Sequence, residues 1–270
     1  MAIIEVQNLT KKFEDFTAVN NISFSIEEGE IFAFLGPNGA GKSTTIKMLT
    51  TVLSPSSGNL MLDGHNIVSE QRDVRNSFGI VFQDPSLDDE LTAYENMETH
   101  GVLYHMKKKN RRERIKQLLE FVELWDRKDV FVKKFSGGMK RRLEIARGLL
   151  HCPKVLFLDE PTLGLDPQTR NHMWEYLRKL NQTEKITIFF TTHYMEEVEH
   201  IANRVAIIDH GNIVTSGTVD QLKKSTGAQS LEEAFLKLTG NDIRKDEANK
   251  IDAMRSHRKV WRNTTDVKSV

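Results

Sequence analysis

The stretch IFAFLGPNGAGKS, residues 31–43, decides the fold of this chain. Residues 31–35 are an apolar run of the length expected for a buried strand, and a predicted helix follows over residues 44–51. The glycine-rich loop between them fits the pattern G-x-x-x-x-G-K-[ST] at every fixed position. A strand, this loop and a helix together predict a phosphate-binding loop. A glycine-rich turn that binds nothing would require neither the lysine nor the two flanking elements.

The residue types of this loop suit a nucleoside triphosphate. Glycines let backbone N–H groups turn toward phosphate oxygens, and the helix that follows points its positive N-terminus at the anion. Lys42 is expected to reach the β- and γ-phosphates, the Ser43 hydroxyl to bind Mg²⁺, and Thr44 to donate to the α-phosphate. The predicted nucleotide-binding residues are Gly36, Pro37, Asn38, Gly39, Ala40, Gly41, Lys42, Ser43 and Thr44. Kinases, GTPases, helicases and transporter ATPases all share such a loop, so it does not by itself identify the function.

A second apolar strand, predicted over residues 155–158, ends in the acids Asp159 and Glu160. Ligands of a parallel sheet collect at the carboxyl ends of its strands. We therefore expect Asp159 to act on Mg²⁺ and Glu160 to orient an attacking water, because hydrolysis needs one acid for the metal and another for the nucleophile. The alternative is that both acids cap the next helix, with Pro161 in its first turn.

Strands and helices alternate over most of the chain. The first thirty residues read as antiparallel strands, and apolar runs at residues 155–158, 186–190 and 205–208 are separated by helical stretches. This pattern predicts an α/β fold, with a mainly parallel sheet covered on both faces and an antiparallel N-terminal β-subdomain. Residues 86–150 are richer in helix formers and charge, and an apolar stripe at helical spacing predicts a helical subdomain there. Within it, the basic run at residues 107–112 is expected to be a solvated helix end or loop.

Composition narrows the class of protein. The chain has 270 residues, of which 39% are hydrophobic and 28% charged, as expected for a globular protein with a sizeable core. The 38 basic residues balance the 38 acidic ones, so bulk charge gives no reason to expect a nucleic-acid partner. The single cysteine, Cys152, excludes an internal disulfide and is expected to be a small core residue. No apolar stretch approaches the ~18–20 residues that span a bilayer. We expect an intracellular protein whose membrane role, if any, comes through a partner.

The segment FSGGMK, residues 135–140, lies between the two phosphate motifs. Ser136 is a good N-cap, Gly137 and Gly138 allow close backbone approach, and a helix is predicted over residues 139–150. This is a second helix N-terminus suited to an anion, and one nucleotide cannot easily use both. The segment resembles the LSGGQ signature of the ATP-binding cassette (ABC) family, with phenylalanine in place of leucine. The variant SGGMKRR is similar to that of bacterial and archaeal drug-resistance exporter ATPases.

The resemblance implies roles for further residues. In this family, Ser136 to Gly138 of one subunit bind the γ-phosphate of the ATP held by the other subunit. Gln83 resembles the Q-loop glutamine that senses Mg²⁺ and the membrane partner, and His193 resembles the switch histidine that contacts the γ-phosphate. Asp166 belongs to a segment that resembles the D-loop, which crosses the dimer interface in this family. Phe13 occupies the position where the family stacks an aromatic ring on adenine, although a core position is an equally good interpretation.

The resemblance runs over nearly the whole chain and implies its organisation. An ABC ATPase domain spans residues 1–240, with a RecA-like core and β-subdomain in residues 1–85 and 151–240 and the helical signature subdomain in residues 86–150. A polar tail, residues 241–270, carries basic residues that are either solvated or in contact with anionic lipid. The implied protein uses ATP and Mg²⁺. It pairs with a second copy of itself or a similar ATPase subunit and powers export through a separate permease, on the cytoplasmic face of the membrane.

Two other classes share some of these features. Soluble ABC ATPases of DNA repair or translation usually carry long coiled-coil arms or two cassettes in one chain, and neither is seen here. A P-loop kinase or GTPase leaves the Ser136–Gly138 segment unexplained, and no guanine-reading N-K-x-D motif is present. No residue reveals the transported substrate, since the substrate path of this architecture lies in the membrane partner.

Overall fold

The computed structural model describes residues 1–240, which form two β-sheets with helices packed around them. The strands, in chain order, are β1 (Ala2–Phe13), β2 (Phe16–Glu27), β3 (Ile31–Leu35), β4 (Ser57–Leu62), β5 (His65–Asn66), β6 (Phe78–Val81), β7 (Val155–Asp159), β8 (Thr187–Thr192), β9 (Arg204–Asp209) and β10 (Asn212–Gly217). The helices are α1 (Lys42–Leu49), α2 (Gln71–Ser77), α3 (Ala93–Leu103), α4 (Lys108–Phe121), α5 (Gly137–Gly148), α6 (Pro167–Glu184), α7 (Met195–Ile201), α8 (Val219–Thr226) and α9 (Leu231–Thr239).

The two sheets differ in strand direction. One sheet is antiparallel and has the strand order β2-β1-β4-β5. The second sheet has the strand order β10-β9-β3-β8-β7-β6. In this second sheet the five strands from β9 to β6 run parallel, and only the edge strand β10 is antiparallel to its neighbour. The predicted fold class is confirmed: an α/β fold with a mainly parallel sheet and an antiparallel N-terminal sheet.

Alternating side chains of β3 divide the core between the two faces of the parallel sheet. Phe32 and Phe34 pack with β1, β2 and α1, whereas Ile31, Ala33 and Leu35 pack with the apolar stripes of the helices on the other side. All five side chains are buried, as expected of a central strand in a parallel sheet. This central position brings the loop after β3 to the middle of one sheet edge.

Helix boundaries and some burial patterns differ from the sequence-based expectations. The helix after the phosphate loop begins at Lys42 and not at Thr44, and the signature helix begins at Gly137, because Gly41 and Ser136 are themselves the N-caps. The basic run is not wholly solvated, since Arg111 is buried and donates to the Met106 carbonyl. The expectation for Cys152 is wrong: the residue is exposed, with a φ of +58°.

Among the helices of residues 1–240, none combines the length and the apolar character needed to cross a membrane. The division into core and helical subdomain stays a prediction. The tail at residues 241–270, with its proposed lipid contact, lies outside the described residues.

Candidate nucleotide-binding site

Two glycines fix the path of the phosphate loop between β3 and α1. A Cβ on Gly36 would lie 2.3 Å from the Ile208 carbonyl oxygen of β9, and one on Gly41 would lie 2.6 Å from the Ala18 carbonyl oxygen of β2. Gly41 also has a φ of +105°, a conformation that side-chained residues resist. The loop is therefore held against both sheets at positions where only glycine fits.

The N-terminus of α1 has no side-chain cap. Its N-cap, Gly41, supplies no side-chain hydrogen bond to the first turn. The next residue, Lys42, is buried, and its Nζ donates to the carbonyl oxygens of Gly36 at 2.7 Å and Pro37 at 3.1 Å. Backbone N–H groups at an uncapped helix start and a lysine beside them are a suitable site for an anion.

Asp159, at the end of β7, faces the start of α1. Its Oδ1 accepts hydrogen bonds from Ser43 Oγ at 3.1 Å and from Thr191 Oγ1 at 2.6 Å. Hydroxyl and carboxylate oxygens are the donor atoms that Mg²⁺ prefers, so this pair of predicted metal ligands fits the ion. The structure thus brings together Ser43 and Asp159, which are 116 residues apart in the chain.

Glu160 lies between two nitrogen-bearing side chains. Its Oε1 is 3.2 Å from Lys42 Nζ and its Oε2 is 3.4 Å from His193 Nδ1. The second approach is not a hydrogen bond, because the geometry leaves His193 Nδ1 without an acceptor. The glutamate is only 8% exposed, so a buried carboxylate meets the lysine of the phosphate loop and the histidine after β8.

The alternative role for the two acids, as caps of the next helix, is wrong. Helix α6 begins at Pro167, and its N-cap is Asp166. Asp166 accepts from the Thr169 hydroxyl at 2.6 Å and from the Thr169 N–H at 3.0 Å, and these two bonds hold the pKa of its carboxyl below its usual value. Asp159 and Glu160 are thus left for the site at the sheet edge.

Sequence reasoning missed Thr191, which connects the two acids. Its hydroxyl donates to Asp159 Oδ1 and also accepts from the Glu160 N–H at 3.0 Å. The next residue, Thr192, donates to the buried Glu197 carboxylate at 2.5 Å, and Thr162 donates to the same carboxylate. The available signal was a pair of threonines closing the apolar strand β8 just before His193.

The signature segment lies on a different surface. Ser136 caps α5 by accepting from the Met139 N–H at 3.3 Å, and both Ser136 and Gly137 are exposed. A Cβ on Gly138 would lie 2.6 Å from Thr169 Cγ2, which places this segment beside the start of α6. The hydrogen bond that the Ser136 hydroxyl accepts lies within α5 itself.

Gln83 and Phe13 are both exposed. Gln83 follows β6 after one residue, and its main-chain carbonyl accepts from Arg141 Nη2 at 3.4 Å. Phe13 is 44% exposed, so the interpretation as a core residue is wrong. It pairs with Phe16, 50% exposed, at the end of the β1–β2 hairpin, two residues before Ala18. Phe16 is thus a second exposed aromatic residue at this end of the hairpin.

Comparison with known proteins agrees with this geometry. The family model described as "ABC transporter" matches residues 19–163. The linearmycin resistance ATP-binding protein LnrL of Bacillus subtilis (strain 168) is 40% identical over 242 residues, which cover 87% of this chain and 78% of that protein. The daunorubicin/doxorubicin resistance ATP-binding protein DrrA of Streptomyces peucetius is 41% identical over 228 residues, which cover 84% of this chain and 69% of that protein.

Solved structures lead to the same family. An ATP-binding subunit of an ABC transporter superposes with a TM-score of 0.79 at 29% identity, covering 88% of this chain and 100% of the other. The dimeric post-hydrolysis state of the cassette MJ0796, bound to ADP and Pi, superposes with a TM-score of 0.71 at 28% identity, covering 80% and 98%. The chain therefore belongs to the ABC transporter family, as an ATP-binding subunit that hydrolyses ATP.

Proposed function

We propose that this chain hydrolyses ATP in two composite sites of a head-to-tail dimer and thereby powers export through a separate membrane permease. The observation that carries the proposal is the buried cluster at the carboxyl edge of the parallel sheet. There the phosphate-loop lysine and the switch histidine flank one carboxylate, Glu160, and the hydroxyl of Ser43 faces another, Asp159. Each side chain has the chemistry that phosphoryl transfer to water requires.

The phosphate loop binds the triphosphate. Backbone N–H groups at the start of α1 point at the phosphates, Thr44 donates to the α-phosphate, and Lys42 reaches the β- and γ-phosphates. Lys42 already lies beside Glu160, at 3.2 Å, so a γ-phosphate on the lysine is brought close to that carboxylate. The exposed ring of Phe13 stacks on the adenine, which contributes about 1–3 kcal/mol by analogy with other base–aromatic contacts.

Ser43, Asp159 and Gln83 would hold Mg²⁺. When bound, the ion neutralises charge on the β- and γ-phosphates. The first two residues already share a hydrogen bond, and Gln83 follows β6, whose carboxyl end lies beside that of β7. The three oxygen donors therefore come from one edge of the sheet.

Glu160 orients the attacking water and takes up its proton, while the bond from the γ-phosphorus to the bridging oxygen breaks. The two acids face different partners, since Asp159 accepts from the Ser43 hydroxyl whereas Glu160 lies beside Lys42 and His193, and they therefore take separate roles. His193, whose Nδ1 is 3.4 Å from Glu160 Oε2, contacts the γ-phosphate. Catalysis then rests on positioning and charge neutralisation.

The exposed start of α5 completes the partner's site. Ser136, Gly137 and Gly138 bind the γ-phosphate of the ATP held by the second subunit, and Asp166 lies beside them at the dimer interface. A complete set of motifs in one chain supports a homodimer with two active sites, and a similar ATPase subunit is the alternative partner. The names of the two drug-resistance relatives, and that of a further relative, a Nod factor export ATP-binding protein 43% identical to this chain over 225 residues, support export as the direction of transport. The dimer would then lie on the inner face of the cell membrane, held there by the permease.

Three measurements test this function. The purified chain is assayed for MgATP hydrolysis and for ATP-dependent dimerisation by sedimentation. The chain is also tagged and captured, with a candidate permease co-expressed, from detergent-solubilised membranes. The proposal expects hydrolysis, an ATP-dependent dimer and recovery of the permease. A partner set made up of soluble proteins alone would favour an ABC ATPase of DNA repair or translation.

A further inference from the structure

Arg141, in the second turn of α5, is a buried arginine that uses all of its donors. It is 7% exposed. Its Nε donates to the Pro161 carbonyl at 2.8 Å, and its Nη1 donates to the Phe82 carbonyl at 2.6 Å and to Glu144 Oε2 at 3.1 Å. Its Nη2 donates to the carbonyls of Gln83 at 3.4 Å and Glu160 at 3.3 Å. Five N–H groups in a fixed fork thus meet five acceptors, an arrangement that only a guanidinium supplies.

These acceptors come from three separate parts of the chain. One pair of carbonyls belongs to the segment after β6, another to the turn after β7, and the carboxylate to α5 itself. Glu144 is 2% exposed, and its other oxygen, Oε1, accepts from the Ser86 N–H at 2.8 Å. A buried charge is costly unless it is paired and hydrogen-bonded, and Arg141 meets both conditions. The side chain therefore acts as a rigid connection between the signature helix and two loops of the nucleotide site.

The backbone of Glu160 needs such support. Its φ of +46° is unfavourable for a residue with a side chain and persists only where the surroundings hold it. Thr191 holds the Glu160 N–H from one side, at 3.0 Å to its Oγ1. Arg141 holds the Glu160 and Pro161 carbonyls from the other side. These two restraints fix the main chain from which the Glu160 side chain projects.

We propose that Arg141 is a positioning residue for ATP hydrolysis, which fixes the Glu160 backbone and the chain at Gln83 to the signature helix. The inference deepens the proposed function and rests on it. Because Ser136, at the start of the same helix, binds ATP in the partner's site, Arg141 connects each subunit's own carboxylate to the nucleotide of the other site. ATP bound at Ser136 then shifts α5 and Glu160 together.

The test compares Arg141→Lys and Arg141→Met with the same substitutions at Arg111. Arg111 is a matched control: it is 9% exposed, pairs with Glu98 at 2.6 Å and donates to a carbonyl at 2.7 Å, but it lies in α4 and touches no site residue. The measurements are kcat, KM for MgATP and the midpoint of thermal unfolding. Glu144→Gln is a milder variant that keeps an acceptor but removes the charge, and it serves if Arg141→Met does not fold.

We expect kcat to fall about 10- to 100-fold in both Arg141 variants, since small misplacements of a catalytic group have effects of this size. KM for MgATP should stay within about 3-fold, because Lys42 and the phosphate loop are untouched. Lysine should not rescue Arg141, since its three donors on a single nitrogen cannot span the two carbonyl pairs. Glu144→Gln should lower kcat about 3- to 10-fold relative to the wild type, again with little change in KM, and a kcat within about twofold of the wild type would count against the inference.

The possible failures are distinguishable. If the wild-type chain does not hydrolyse MgATP, the proposed function fails and the role of Arg141 fails with it. If the wild type hydrolyses ATP and the Arg141 variants keep kcat within about twofold, only the inference is overturned. It is equally overturned if Arg111→Met lowers kcat as much as Arg141→Met at a similar loss of thermal stability, because a general structural role would then explain the effect.

Discussion

The helices α1 and α5 both begin at glycine-rich segments, and their N-termini differ in what completes them. At α1 the N-cap is Gly41, which offers no side chain, and the surroundings are the buried Lys42, Asp159 and Glu160. At α5 the serine at the N-cap accepts from its own helix, and the first residues are exposed. The first N-terminus is one wall of a site within the chain, whereas the second is a self-capped, exposed surface, which we propose binds the nucleotide of a second subunit.

This difference shows why the same local chemistry serves two purposes. A helix N-terminus attracts anions wherever it occurs. The acids that support hydrolysis surround only α1, so a nucleotide held there by its own chain has a carboxylate beside it. The start of α5 is exposed and is capped by the serine of its own helix. Substitutions at the two N-termini should therefore separate hydrolysis, binding and dimerisation.

The largest effect is expected at Glu160, the residue that distinguishes the two regions most. Glu160→Gln removes the proton acceptor but keeps the size of the side chain. We expect kcat to fall roughly 10²- to 10⁴-fold, with ATP still bound and the closed dimer accumulating. Steady-state ATPase assays and gel filtration with ATP measure both. Glu184→Gln, at an exposed ion pair with Arg114, is the control and should keep normal turnover. Normal turnover in Glu160→Gln would show that another group activates water.

The second prediction compares the two glycine-rich segments by steric fit. Gly36→Ala places a Cβ 2.3 Å from a backbone oxygen of β9, so the loop has to move; we expect a loss of about 1–3 kcal/mol in the free energy of unfolding and a clear loss of ATP affinity. Gly137→Ala meets nothing closer than a side-chain atom at 4.0 Å and should leave the free energy of unfolding within about 0.5 kcal/mol. Urea titrations measure the stability of both variants. Equal stabilities would contradict the steric difference.

The third prediction extends the comparison to the other end of α5, where two partly buried histidines, His100 and His151, lie with their rings 6.1 Å apart. Burial is the main cause that lowers the pKa of His100 and of His151 to about 4. Both are then neutral in the folded chain at pH 5, while the unfolded chain binds protons below its ordinary histidine pKa of about 6.5. Stability present at neutral pH is therefore lost as the pH falls from about 6.5 toward 4.

We expect the free energy of unfolding to drop by about 1–2 kcal/mol per histidine between pH 7 and pH 5. His100→Phe should reduce this drop, because phenylalanine does not bind a proton. The substitution breaks no hydrogen bond of His100 Nε2, since that atom makes none in the described part of the chain. His172→Phe, at an exposed position on α6, should leave the drop unchanged. Denaturant titrations at the two pH values give the comparison, and an identical drop in wild type and His100→Phe would argue against neutral burial.

The smallest expected effect concerns the cap of α5. Ser136→Ala removes the hydrogen bond to the Met139 N–H and should cost about 1 kcal/mol of stability. Ser230→Ala removes the equivalent cap of α9, where the hydroxyl accepts from the Glu233 N–H at 3.1 Å, and should cost a similar amount. Only Ser136→Ala should also lower the ATPase rate, while ATP affinity stays unchanged. Parallel losses of ATPase rate in both variants would mean that the serine acts through stability alone.

The sequence could predict those parts of the site that lie within one strand–loop–helix unit. Residues 36–43 and the acids after β7 are set by short-range geometry, since a buried strand presents its next residues at the edge of the sheet. The fold class followed from the alternation of strands and helices for the same reason. Boundaries were displaced by about two residues because the caps themselves define where helical geometry begins.

The rest depends on which distant segments pack together. Thr191 lies 32 residues from Asp159, and Arg141 lies 59 residues from Phe82, so no local pattern reveals that they meet. Arg141 stands between two other basic residues, a pattern typical of an exposed helix face, so the sequence does not indicate that its side chain is buried. Phe13 was ambiguous for the same reason, because an aromatic residue at a strand end is exposed or covered according to what lies over it.

Cys152 is the single cysteine of the chain, and it is exposed between the end of α5 and the start of β7. A thiol-reactive fluorophore or spin label would therefore modify the natural sequence at one known position. Since α5 has 12 residues, its two ends lie about 18 Å apart, with Ser136 at one and the label close to the other. Spectroscopy on the unaltered chain can thus follow the signature helix through the ATPase cycle.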